Sequence, residues 1–265
     1  MSLPETFVRG FHDEAAVKKM KYNPLGKTGL QVSHLGFGGA PLGGTKLLYG
    51  EYGESEAIET VREAVKSGIN YIDTAPWYGQ GRSEEVLGKA LKGIPREAYY
   101  IATKVARYDP ELRKMCDFSR EKTLWSVDNS LKLLGLDYVD VIQIHDIQFA
   151  YTPDLVATET LPALQSVVDA GKARFIGITG YPPALLKQVV ERSRVNLSLI
   201  LSYASDTLID DSLKTYLPFF QSRGIGVVNA AGLAMGLLSN NGIQEWHPAP
   251  GNVKKICAEA GKYCA

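Results

Sequence analysis

At 265 residues the chain is one large domain or two small ones, and its 45% hydrophobic and 22% charged content is ordinary for a soluble globular protein. Its 29 basic and 29 acidic residues cancel, so no net charge calls for a nucleic acid or an anionic membrane as partner. The cysteines, Cys116, Cys257 and Cys264, are odd in number and none lies in a close ligand pair. That argues against a disulfide scaffold or a metal site, and for a reducing, cytoplasmic setting.

The first residues lack the basic region and apolar run of a secretory signal. Residues 1–20 read as a polar arm with a short helix at His12–Met20, and residues 21–265 as the main domain. Two short extended pieces flank Gly26-Lys-Thr-Gly29, the signature of a hairpin. Leu35–Gly39 reads as a first buried strand ending in glycines. Glu54–Gly68 carries Ala57, Ile58, Val61, Ala64 and Val65 on one helical face, with Gly68 as its stop. Asn70–Asp73 is a strand. Ser83 caps a helix to Leu91, Tyr99–Lys104 is a strand, and Ser119 caps a helix through Trp125, Leu131 and Leu134 to Gly135.

Tyr138–His145 is the next strand. The alternation continues with a helix at Leu161–Ala170, a strand at Ala173–Thr179 and a helix at Ala184–Arg192. A strand at Leu197–Tyr203, a helix at Asp211–Ser222 and a strand at Ile225–Ala231 follow. The longest uncharged stretch, Gly224–Gln244, is broken by glycines and asparagines and reads as a strand and loop, not a membrane span. A helix at Val253–Tyr263 comes last. Strands alternating with helices argue for a parallel α/β sheet, and the largely apolar Val139–Ile144 and Leu197–Leu201 suit strands covered on both faces. The expectation is a (β/α)8 TIM barrel whose N-terminal hairpin closes the bottom, truncated before the eighth strand and helix.

In such a barrel the strand ends share one rim, so Asp73, Tyr78, Lys104 and His145 can meet in one pocket. A tyrosine beside a lysine and an aspartate is a way to make phenol chemistry work near neutral pH.

Asp73-Thr-Ala-Pro-Trp-Tyr78-Gly79, Gly81-Arg-Ser-Glu84, Lys104 on Ile-Ala-Thr-Lys, and Ile144-His145 together resemble the aldo-keto reductase superfamily. The opening Leu25-Gly-Lys-Thr-Gly-Leu-Gln-Val-Ser33 and Leu35-Gly-Phe-Gly38 match as well. The resemblance runs over roughly residues 21–242. Ile178-Thr-Gly-Tyr-Pro182 and the segment Val228–Leu238 look most like its L-galactose dehydrogenase-like branch.

The resemblance implies that Tyr78 is the proton donor or acceptor, that Lys104 lowers its pKa, and that Asp73 holds Lys104 charged. His145 would hydrogen-bond the substrate oxygen and Trp77 would form a substrate wall. NADP or NAD would contact Gly38, Gly39, Asp73, Thr179, Gly180, Ala231, Leu233, Met235, Gly236 and Leu237, with backbone N–H groups of Leu233–Leu237 cradling pyrophosphate. Tyr49, Tyr52, Tyr151 and Asp146 are further candidates for ligand contacts. Arg107 and Arg113 read as surface charges.

The chain departs from the family pattern at Gly180, Ile200, Ala230 and Ala231-Gly232-Leu233. The family's basic clamp for the adenosine phosphate falls past the last residue of this sequence, so NADP and NAD both stay open.

The implied activity is NAD(P)(H)-dependent oxidoreduction between an aldehyde or aldose carbonyl and the alcohol or lactone, in a monomer or weak oligomer. The implied partner is a small-molecule carbonyl or sugar substrate, with no nucleic acid and no membrane. The alternative is a cofactor-binding or regulatory protein of the same fold with little turnover, because the C-terminal clamp is missing.

Overall fold

In the computed structural model, which describes residues 3–44, 52–240 and 242–264, the chain first builds a floor. Helix α1 (Glu14–Lys19) starts where the Asp13 carboxylate accepts from the N–H groups of Ala15 and Ala16. Strands β1 (Tyr22–Pro24) and β2 (Gln31–Ser33) pair antiparallel, as the hairpin signal predicts. Their turn docks on the barrel bottom, where Lys27 N–H donates to the Gly224 carbonyl at 2.8 Å. Leu25 and Leu30 fill the barrel interior from below, against Tyr71, Tyr100, Val141 and Leu199. The preceding arm is tied to the same floor. Tyr100 Oη donates to the Glu5 carboxylate, and Asn70 Nδ2 donates to Thr6 Oγ1 at 2.9 Å.

Seven parallel strands follow in sequence order: β3 (Phe37–Gly38), β4 (Tyr71–Asp73), β5 (Tyr100–Val105), β6 (Val139–Ile144), β7 (Ala173–Gly180), β8 (Leu199–Tyr203) and β9 (Gly226–Ala230). The curled sheet they form is that of a (β/α)8 TIM-barrel fold, with seven strands among the described residues. Parallel neighbours need a crossover, and helices supply it. They are α2 (Glu54–Lys66), α3 (Arg82–Leu91), α4 (Arg120–Leu134), α5 (Leu161–Asp169), α6 (Pro183–Arg192) and α7 (Leu217–Ser222), with α8 (Gly251–Cys264) after the last strand. Central β5 and β6 are buried at every position, which is why they read as apolar runs.

Three elements differ from expectation. The buried strand expected at Leu35–Gly39 is only two residues long, and Leu35 is 61% exposed. Among the described residues β3 pairs with β4 alone. The helix expected from Ser83 begins at Arg82, after Gly81 at φ 97°, and Ser83 is buried with its hydroxyl engaged elsewhere. The helix expected over 211–222 is split into a 3-10 turn at Ser212–Thr215 and α7. Pro218 has no N–H to continue a ladder, so it is accommodated in the first turn of a new helix.

Gly88 shows how tightly α3 seats on α4. A Cβ there would lie 2.4 Å from the Leu133 carbonyl oxygen, so the two backbones touch. Gly88→Ala therefore has to push the helices apart, at a cost of about 1–3 kcal/mol. Thermal unfolding by circular dichroism should show a melting temperature several degrees lower; an unchanged value would mean that this contact carries no stability.

Candidate active site

The C-terminal ends of the strands carry unusual backbone. Ala106, Asp146, Ala204 and Ala231 are non-glycine residues with φ of 80°, 54°, 56° and 57°, and each lies just past a strand end. Such residues cost of order 1–3 kcal/mol each and concentrate at functional sites. The loop after β4 is also tightly specified. Gly79, at φ 65°, presses on Gly43 so closely that a Cβ would sit 2.1 Å from its carbonyl oxygen. This contact sets the turn that presents Tyr78.

At this rim the structure brings Asp73, Tyr78, Lys104 and His145 together. Lys104 is 1% exposed, and its three ammonium protons all have acceptors. Nζ forms an ion pair with Asp73, donates to the Thr74 carbonyl at 2.8 Å and lies 3.2 Å from Tyr78 Oη. The second Asp73 oxygen accepts from Gln143 Nε2 at 2.8 Å. Strand register explains this: Lys104 on β5 is paired with Gln143 on β6, and Gln143 and His145 share a face because side chains alternate. His145 meets the Tyr78 ring edge-on, with centroids 5.6 Å apart and planes at 89°.

The electrostatics correct one expectation. Burial pushes the Tyr78 phenol up to about 12, and the opposing pull of Lys104 is smaller. The phenol is therefore a neutral acid across the physiological range. Burial also works against the Lys104 charge, but Asp73 and Tyr78 together outweigh it and raise its pKa to about 12. Burial, reinforced by the charges of Lys104 and Arg107, holds His145 well below its ordinary value, so the imidazole is neutral and can offer one N–H.

The buried His145 Nδ1 and Gln143 Oε1 have no hydrogen-bond partner within the protein. A ligand with polar groups at this rim would satisfy them. Thr179 lies beside this pair: its Oγ1 accepts from the Asp146 N–H at 2.9 Å, which leaves its own proton to donate. A Cβ added at Gly38 would meet nothing within 4 Å, so the strand end is open to a ligand. These features fit a nicotinamide.

Other expected contacts are committed to the fold. A Cβ on Gly39 would come within 2.9 Å of Ser83 Oγ, and one on Gly180 within 3.1 Å of Gln148 Oε1. Packing calls for glycine at position 39, whereas at 180 the neighbouring side chains would have to give by a few tenths of an ångström. The loop of Ala231, Leu233, Met235, Gly236 and Leu237 lies past β9, two strands from Thr179. The N–H groups of Ala234, Gly236 and Leu237 donate to carbonyls of that loop, and Leu237 is buried against Cys257 of α8. Within Leu233–Leu237 the donors not spent in the turn belong to Leu233 and Met235.

Arg107 is not the surface charge it reads as. Its guanidinium stacks 4.1 Å over the Trp77 ring, pairs with buried Asp146 and lies 5.1 Å from the Phe149 ring. Asp146 Oδ2 is in turn 3.8 Å from His145 Nε2. Trp77 thus stands at the rim with Arg107 against it, whereas Arg113 is exposed as expected. Tyr151 is 99% exposed, and Tyr52 donates to the Leu42 carbonyl. Tyr49 falls outside the described residues.

Sequence reading passes over Gln143 and takes Arg107 for a surface charge. The available signal was a polar residue inside the apolar β6 run, and a cation just past the strand bearing Lys104. Among the described residues, no cluster of three or more His, Cys, Asp or Glu could hold a metal, and no helix is long and apolar enough to cross a membrane.

A family model described as the Aldo/keto reductase family matches residues 34–263. The L-galactose dehydrogenase of Arabidopsis thaliana is 44% identical to this chain, over 93% of it and 76% of that protein. The D-arabinose 1-dehydrogenase of Saccharomyces cerevisiae is 31% identical over 92% of the chain and 73% of the relative. Among solved structures, the holo form of an aldo-keto reductase from Bacillus halodurans aligns with a TM-score of 0.74 at 32% identity, covering 89% of this chain and 76% of that one. The chain belongs to the aldo/keto reductase family, oxidoreductases of carbonyl or sugar substrates that use NAD(P)H.

Breaking the Arg107–Asp146 pair should show that it is structural. Arg107→Met leaves a buried carboxylate alone, a loss of about 3–5 kcal/mol by urea unfolding. Adding Asp146→Asn, which tolerates the left-handed backbone, should recover more than half of that. Equal stability of the single and double variants would show that the pair does not act as a unit.

Proposed function

We propose that the chain catalyses NAD(P)(H)-dependent interconversion of an aldehyde or aldose carbonyl and the corresponding alcohol or lactone, with an aldose such as L-galactose oxidised at C1. The observation that carries this reading is Lys104 Nζ, shared between the Asp73 carboxylate and Tyr78 Oη beside a neutral His145. The bound nicotinamide supplies or accepts the hydride. Tyr78 holds the proton at Oη and passes it to the substrate oxygen in the reductive direction; in the oxidative direction it takes that proton. Lys104 stabilises the phenolate left behind, and Asp73 keeps Lys104 charged. The N–H of His145 orients the substrate oxygen toward Tyr78. Gly38, Thr179 and the loop from Ala231 to Leu237 would hold the cofactor, and Trp77 would bound the substrate. The sugar assignment is supported by the two sugar dehydrogenases among the relatives.

Turnover with a panel of aldehydes and aldoses, followed at the reduced-nicotinamide absorbance, tests the reading. Tyr78→Phe should lose about 10²–10⁴-fold in kcat. Cofactor binding without turnover in either protein would instead indicate a binding or regulatory role.

The direction of the phenol shift adds a second test. Because Tyr78 is protonated below about 12, the form needed to oxidise an alcohol is scarce at neutral pH. Oxidation should accelerate about tenfold per pH unit between pH 8 and 10, while reduction shows no loss in that range. A plateau of the oxidation rate by pH 8 would mean that the working phenol titrates far lower.

A further inference from the structure

A fully buried carboxyl group lies outside the set of Asp73, Tyr78, Lys104 and His145. Glu84, in the first turn of α3, is 0% exposed. Its Oε1 accepts from Thr103 Oγ1 at 2.6 Å. Thr103 immediately precedes Lys104 on β5, so the two side chains leave opposite faces of the strand. Lys104 points at Asp73 and Tyr78, and Thr103 points at the helix layer. Glu84 therefore sits behind the strand segment that carries the ammonium.

The same helical turn ties the neighbouring strand ends. Ser83 Oγ donates to the Gly39 carbonyl at 2.8 Å and shares a hydrogen bond with Thr74 Oγ1 at 2.8 Å. The Ser83 N–H donates to the Tyr78 carbonyl at 3.1 Å. The Thr74 carbonyl is itself an acceptor of Lys104. One turn of α3 thus touches the ends of β3 and β4, the tyrosine loop and the back of β5.

We propose that Glu84 is a positioning residue of the site: from behind β5 its carboxyl holds Thr103 and sets the charge that Lys104 experiences. This rests on the proton-handling role assigned above to Lys104 and Tyr78. Thr103 from β5 and Ser130 from α4 face Glu84, and the charge that acts on it is Lys104, through the strand from the opposite face. Ser130 Oγ lies close enough to favour the carboxylate, yet neither it nor Glu84 Oε2 has a well-formed hydrogen bond. One oxygen of this buried carboxyl is thus without a partner behind the strand that carries Lys104.

Burial pushes Glu84 up to about 7, against the opposing hydrogen bonds and the Lys104 charge. Below that pH the Lys104–Asp73 pair is neutral as a unit. Above it a further negative charge faces Lys104 across the strand, where a low dielectric makes it felt. That charge strengthens the hold on the ammonium and disfavours a phenolate at Tyr78, so proton donation becomes less favourable.

The test compares wild type, Glu84→Gln and Thr103→Val in two measurements. The first is kcat for carbonyl reduction from pH 5.5 to 8.5. Wild type should fall by roughly three- to tenfold in one step near pH 7, on the scale of a partly screened charge. Glu84→Gln, which keeps an acceptor for Thr103, should show no step. Thr103→Val removes the bond that favours the carboxylate, so the step should move to higher pH. The second is NMR of the cofactor-free protein, following the Glu84 carboxyl carbon and the Lys104 Nζ signal, the latter assigned with Lys104→Met.

In wild type both signals should inflect at the same pH, and the Lys104 inflection should vanish in Glu84→Gln. A kcat step that persists in Glu84→Gln would overturn the proposal. So would a Lys104 signal that stays flat while Glu84 titrates. The NMR arm does not depend on turnover: an inactive wild type would sink the catalytic reading, and these signals would still decide whether Glu84 reaches Lys104.

Discussion

A lysine ammonium buried in a barrel wall keeps its charge only if every proton has an acceptor and a counter-charge stands next to it. Lys104 meets both conditions, through Asp73, the Thr74 carbonyl and Tyr78 Oη. Asp73 is fixed from its other side by Gln143. The charge thus depends on the relative register of β4, β5 and β6. Loss of one partner would leave an uncompensated buried charge, a penalty of about 3–5 kcal/mol. That penalty ties stability to the geometry the proton transfer needs. Two opposed effects then act on one phenol: burial keeps Tyr78 protonated, and Lys104 favours its anion.

Parallel strand order is what lets residues distant in sequence meet there. All seven strands run the same way, so their C-terminal ends form one rim. The hairpin and the N-terminal arm close the opposite end, where hydrophobic filling and the Asn70 and Tyr100 hydrogen bonds support the fold. Strain is found at the rim, in the left-handed residues that follow β5, β6, β8 and β9. The barrel itself is a general scaffold, and the chemistry belongs to the groups placed on this end of it.

Much of this was legible in the sequence because its physics is local or periodic. The central strands are apolar runs because both faces are covered, and the helices between them show one apolar face. Asp73, Tyr78, Lys104 and His145 stood out as ionisable groups at or just past strand ends. What escaped reading depends on contacts distant in sequence. Gln143 looks like an incidental polar residue in β6 until Asp73 lies opposite it. Arg107 looks solvated until Asp146 and Trp77 close around it. Ser83 has the chemistry of a helix cap, and only the nearness of Gly39 and Thr74 diverts its hydroxyl. Lys104 lowers the Tyr78 pKa as expected, but burial outweighs it, and burial is a property of the folded wall with no sequence signature.

The most direct measurement of the central pairing is single-turnover hydride transfer in Lys104→Met at saturating cofactor and carbonyl substrate, with cofactor affinity measured in parallel by fluorescence titration. If the buried ammonium is what stabilises the phenolate, the transfer rate falls by about two orders of magnitude or more while cofactor affinity stays close to wild type. A rate within tenfold of wild type would show that Tyr78 does not depend on Lys104.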